Sequence, residues 1–214
     1  VDGDTWRQHG FPVNQMFGVQ SSLPNFMVQV HQVTDAGEAR DYLARLAKFP
    51  RKFDQLSENL KLREAKDVIP PQFMVEKVLA QMRGFIAKAP KQNPLYTSFK
   101  DKLDQIPPQR MDAAARERLL AQAEESIQAS VLPSYQSLIA YMAALQPRAQ
   151  GNFGAWHLPD GEAYYAWCVR EHTTTDMSPL QLHQLGLAEV ARIGGEMASI
   201  LESRGLRNGT IGTR

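Results

Sequence analysis

Cysteine is nearly absent from this 214-residue chain: Cys168 stands alone, so no intrachain disulfide can staple the fold. That fits a reducing compartment but leaves the periplasm open, because many exported proteins lack disulfides. Long hydrophobic runs are missing too, none approaching the roughly 18 residues of a membrane span. Nor does charge of one sign dominate, since 24 Lys and Arg stand against 23 Asp and Glu. The two signs interleave as on solvated helix faces, which recommends neither nucleic acid nor an anionic membrane as a partner. Strand alternation and internal repeats are likewise missing. No signal peptide is visible, yet the opening VDGDTWRQHG reads as the middle of something, compatible with an exported parent whose leader lies upstream.

The usual catalytic signatures are also wanting. Helical zinc hydrolases need two His one turn apart, with a Glu between them as general base. The five histidines, His9, His31, His157, His172 and His183, contain no i, i+4 pair. His172 reads as the end of a helix, where a cation suits the dipole, and His183 as a helix-surface residue. No G-x-S-x-G exists. GNFG at 151–154 lacks both the lysine and the preceding strand of a phosphate loop. Cys168 sits in an amphipathic helix and reads as a buried, inert thiol. Neither a catalytic residue nor a metal ligand is assigned within the chain.

What is present is helical periodicity. Residues 1–33 are irregular or briefly helical, but Phe17, Val19, Leu23, Phe26, Met27 and Val30 are apolar enough to dock on a core. Asp35 and Glu38 have capping-box spacing ahead of Tyr42, Leu43, Leu46 and Phe49. Pro50 interrupts, and a helix continues to about residue 66 with Phe53, Leu56, Leu60 and Leu62 inward. Pro70-Pro71 opens another, striped by Phe73, Val75, Val78, Leu79, Met82 and Ile86. A short helix spans about 95–104. Asp112 caps a long one that Pro133 must kink or split. After a loop holding Trp156 come a helix over 160–172 and a last one from Ser178-Pro179 to about Ser203, with Gly205 and Gly209 beyond its end. The expected fold is all-α, about seven helices: a docking segment (1–33), a helical bundle (34–145), and a loop plus two helices lining a cleft (146–214).

Two groups near the end of the chain carry alternative readings. In the aromatic set Trp156, Tyr164, Tyr165 and Trp167, one ring can pack inward while its neighbour faces a substrate. Thr173-Thr174-Thr175-Asp176 is either a helix-to-helix turn capped by its own side chains, or a set of hydroxyls that joins Arg170 in gripping a peptide backbone or carboxylate.

LPDGEAYYAWCVREHTTTD and SPLQLHQLGLAEVARIGGEM, within residues 158–197, resemble the domain of unknown function 885 family of bacterial, often exported proteins. PVNQMFGVQSSLPNF (12–26), DYLARLAKFPRKFDQL (41–56) and IPPQFMVEKVLAQM (69–82) resemble it in the same order. The resemblance implies a longer, mostly helical parent, periplasmic or anchored as a lipoprotein, related to thermolysin-like zinc metallopeptidases. It implies an H-E-x-x-H helix beyond Arg214, zinc held by its two His and a downstream Glu, and a motif Glu that activates water toward a peptide carbonyl. None of those residues is in this chain, which then supplies scaffold and a wall of the peptide cleft, with Tyr164, Arg170, His172 and Thr173 as substrate-side candidates. Its partners would be the remaining C-terminal part of the protein and, through apolar surface left bare, a second copy. The alternative is a helical scaffold or binding module without catalysis.

Overall fold

The computed structural model describes residues 5–149 and 154–213; the first four residues and most of the GNFG stretch lie outside it. The described residues are all-helical, without a strand. The chain divides into two compact units, Val1–Pro159 and Asp160–Arg214.

The first unit holds α1 (Val19–Asn25), α2 (Ala36–Leu46), α3 (Phe49–Glu64), α4 (Gln72–Ile86), α5 (Pro94–Asp104), α6 (Ala113–Ser126) and α7 (Leu132–Leu145). Their apolar stripes meet in one core, in which Tyr42, Leu46, Phe49, Phe99, Ile127, Tyr135 and Leu138 are wholly buried. Pro50 does not interrupt α3; it occupies the first turn, where a missing N–H costs nothing. Asp35 Oδ1 accepts from Gly37 N (2.7 Å) and Glu38 N (2.9 Å), and the Glu38 carboxylate reaches back one residue further than expected, to Thr34. Those bonds from backbone N–H groups hold the Asp35 carboxyl below its ordinary range.

Two prolines stand beside π-turns and are accommodated differently. Pro24 has no N–H for the Gln20 carbonyl, and that carbonyl accepts instead from the buried Tyr135 hydroxyl at 2.5 Å. The helix then widens into a π-turn, Phe26–Val30, closed by His31 N to Phe26 O at 2.9 Å. The expected kink at Pro133 is likewise a π-turn, Ile127–Val131, which joins α6 to α7, and Ser134 Oγ donates to Ser130 O at 2.6 Å. Lys102 ties the first π-turn to α5, its ammonium donating to Met27 O and His31 O at 2.8 Å each.

Gly18 is required where it stands. Its φ of +141° lies outside the range side chains favour, and a Cβ would meet the folded-back Gln20 amide at 2.1 Å.

Some expected core positions face outward. Met27 is buried, but Phe17, Phe26 and Val30 are 69%, 38% and 58% exposed. Phe26 and Val30 lie one turn apart on the side of the π-turn away from Met27, and the Phe26 ring receives the Arg45 guanidinium instead. Leu62 and Phe73 are exposed as well. Each sits two residues, about 200° of helix, from the nearest buried stripe position, Leu60 or Val75.

The second unit holds α8 (Gly161–Thr173) and α9 (Pro179–Ser203). Ser178 starts α9 with a full capping box, accepting from Gln181 N while Gln181 Oε1 accepts from Ser178 N. A Schellman motif ends it: Leu206 N donates to Leu201 O and Gly205 N to Glu202 O, with Gly205 at φ +82°. Along its 25 residues α9 buries no side chain.

Candidate functional site

Helix α8 carries the four candidate residues. It runs between Asp160 and Thr174, both in the left-handed conformation, with Glu162 in its first turn and Arg170 in its last, where each charge suits the dipole, and His172 also in the last turn. At about 100° per residue, Tyr164 and His172 fall on one side, while Thr173 and Arg170 fall about 180° and 240° from Tyr164. The helix therefore places Tyr164 and His172 on one side and Thr173 and Arg170 together on another.

Tyr164 is half-buried and stacks on Trp167 with ring centroids 6.0 Å apart. Burial, and then a hydrogen bond with the Cys168 thiol, push its pKa up to about 12. The phenol is therefore a neutral donor at physiological pH. Cys168 is half-buried rather than sealed. The exposed His172 uses Nδ1 to donate to Cys168 O at 2.7 Å, which fixes the proton on that nitrogen and leaves Nε2 as the outward atom. Tyr165 is 51% exposed, so the adjacent tyrosines do part company. Trp156 stacks on His157 at 3.7 Å, outside the unit that holds α8.

The threonines are engaged with one another and with the backbone. Thr173 Oγ1 donates to Val169 O at 2.8 Å and accepts from Thr175 N at 3.3 Å. With that proton committed, the 2.9 Å contact between the Thr173 and Thr175 hydroxyls has Thr175 as donor. Thr175 Oγ1 in turn accepts from Met177 N, and Thr174 Oγ1 donates to Thr173 O. This is a chain of side-chain caps between two helices.

No three His, Cys, Asp or Glu side chains among the described residues converge where they could hold a metal ion. The residues described thus do not fit a zinc site. None of the helices among them is long and apolar enough to cross a membrane.

The periodicity of the sequence gave no sign of a polar cluster in the first unit. His31 is buried, edge-on to Tyr42 with centroids 5.1 Å apart. Its Nε2 lies 3.3 Å from Glu38 O and its Nδ1 against the Arg45 guanidinium. A guanidinium has only donors, so Nδ1 accepts and Nε2 carries the proton. Burial is the main reason the His31 pKa lies below its ordinary value, and the nearby Arg45 and Lys102 lower it further. A second network joins Tyr141, Glu64, Arg148 and Asp67 at 2.8–2.9 Å. Burial and the bond to Glu64 push the Tyr141 hydroxyl pKa up.

One solved structure with this fold is "the putative lipoprotein from Colwellia psychrerythraea", which superposes with a TM-score of 0.88 at 29% sequence identity. The match covers 95% of this chain and 34% of that one, so the chain spans about a third of that protein. No curated protein matches the chain. Residues 3–214 match the family model described as "Bacterial protein of unknown function (DUF885)", and the chain belongs to that family.

Proposed function

We propose that this chain is the helical, substrate-flanking portion of a larger hydrolase of the zinc-peptidase kind, with the metal held by residues outside these 214. The single observation that carries this reading is the surface of α9. Leu187, Val190, Ile193, Met197 and Ile200 fall within about 140° around α9 and are each at least 45% exposed, whereas Arg192, about 140° from the middle of that face, is paired with Glu189 (2.8 Å) and Glu196 (2.6 Å). A contiguous apolar face of this kind marks an interaction surface, and further chain of the same protein is its best occupant, because a relative with the same fold is about three times longer. The wording of that relative's description supports an exported or lipid-anchored parent. In such an enzyme Tyr164, a neutral donor, and His172, with Nε2 outward, would meet a peptide substrate on one side of α8, and Arg170 and Thr173 would act together on another.

The test uses the full-length protein. Native mass spectrometry and metal analysis should find one zinc per chain, and peptide hydrolysis should fall in Tyr164→Phe and His172→Gln with melting temperature nearly unchanged. Unchanged turnover in both variants removes them from the site. A metal-free, inactive full-length protein removes the peptidase reading altogether. A second reading, a helical scaffold or binding module without catalysis, is favoured by one specific observation: Thr173 and His172 already spend polar atoms on carbonyls of their own helix.

A further inference from the structure

A groove of about 480 Å³ lies in the first unit, away from the residues considered above. One wall is apolar: Val19, Leu23 and Phe26 from α1 and its π-turn. The other is cationic: Arg45 from the last turn of α2, then Lys48 and Lys52 at the start of α3. Its volume lies within the roughly 300–1,000 Å³ of small-molecule sites.

Three features make the cationic wall look like a receptor rather than a solvated face. No Asp or Glu lines the groove, and none of the three cations forms an ion pair among the described residues. Arg45 is held in place by neutral groups, the His31 imidazole and the Phe26 ring at 5.6 Å, so its position is set without a carboxylate bound to it, Asp41 one turn earlier forming no ion pair with it. Lys48 and Lys52 stand at the positive end of α3, which has no acidic residue in its first turn. Cations there oppose the helix dipole, and a bound anion would relieve that opposition. The ligand must present an apolar body to one wall and negative charge to the other.

We propose that this groove binds a long-chain carboxylate, its alkyl chain lying along Val19, Leu23 and Phe26 and its head received by Arg45, with Lys48 and Lys52 adding field. The test is calorimetric titration of the full-length protein with dodecanoate below its micellar concentration. Butanoate and dodecyltrimethylammonium serve as controls that lack the chain and the anion respectively. Dodecanoate should bind saturably at one per chain, and neither control should. Arg45→Gln should weaken binding by at least about tenfold, as loss of a charge-assisted contact implies. Leu23→Ser should weaken it too, while Val190→Gln on α9 leaves it unchanged. If Arg45→Gln does not fold, the double variant Lys48→Gln/Lys52→Gln carries the test, both positions being exposed. The proposal is overturned by absent or unsaturable binding, by equal binding of the cationic amphiphile, or by indifference to both the Leu23 and the cation variants. Capture of an acidic amphipathic peptide through these residues, without dodecanoate binding, would also overturn it and make the groove a protein-docking site.

Discussion

The two units solve the same problem to different degrees. In the first, seven helices among the described residues converge until Phe99, Tyr135, Ile127 and their neighbours are wholly buried, and even a carbonyl freed by proline finds a buried hydroxyl. In the second, α9 has sound ends, a capping box and a Schellman motif, yet fully buries no residue along its length. Caps determine where a helix starts and stops, whereas only packing gives it tertiary stability. The difference teaches that the first unit carries its own core, while the apolar side of α9 is written for something further.

The largest effect that would test this contrast is expected from Phe99→Ala. A fully buried aromatic lost from a core costs about 3–5 kcal/mol. Denaturant unfolding of the first unit should show that loss; a cost below about 1 kcal/mol would mean that its core is loosely packed. Tyr135→Phe comes next. It keeps the ring and strands the Gln20 carbonyl, so about 1–3 kcal/mol should disappear. The Pro24→Ala background sharpens the point, since a restored N–H can take over the carbonyl and the cost of Tyr135→Phe should shrink there.

That second prediction also marks where the sequence was legible. Periodicity located the helices after residue 34, and residue type and spacing named the caps Asp35, Asp112 and Ser178 and the proline start at Pro179, although Pro50 and Pro94, read as breaks, each sit in the first turn of a helix. It missed the π-turns, and it missed how the carbonyl orphaned by Pro24 is satisfied, because that depends on what lies across the core. Tyr135 was not among the expected core residues, and its partner Gln20 is 115 positions away in sequence. Val30 was misplaced because the wider π-turn carries it further round from Met27 than an α-helix would, whereas Phe26, the immediate neighbour of Met27, lies about 100° from it in any case. The candidate site was legible only as residue types on one helix. Spacing alone shows that Arg170 and Thr173 cannot share a side with Tyr164, but the spending of the threonine hydroxyls on one another needed coordinates.

Ser178→Ala should cost about 1 kcal/mol of α9 stability, the usual worth of an N-cap. It should speed amide exchange in the first turn of α9 and leave the first unit untouched. Exchange changing in both units would show that α9 is coupled to the core more tightly than its exposure implies. In the first unit the corresponding probe is pH. His31 has a folded-state pKa below its ordinary 6.5, so in acid the unfolded chain binds a proton that the folded chain refuses. Its contribution is present above about pH 6.5 and is lost as pH falls through the lowered value. Melting temperature should therefore drop on acidification from pH 7, and His31→Gln should flatten that dependence. An unchanged slope in the variant would assign the acid sensitivity to other groups.

The smallest effect on stability is expected from Val190→Gln. Val190 is 71% exposed, and a surface substitution usually stays within about 0.5 kcal/mol. In residues 1–214 expressed alone, the melt should hardly move while self-association and dye binding through the apolar face fall. In the full-length protein the same substitution should cost more, because a polar amide would then be pressed against whatever chain covers α9. Equal and negligible costs in both settings would mean that the face stays bare in the whole protein, and the contrast between the units would then describe a surface reserved for a separate partner. A large cost in the isolated chain would mean instead that α9 is already covered there by a second copy, which sedimentation would reveal as a dimer.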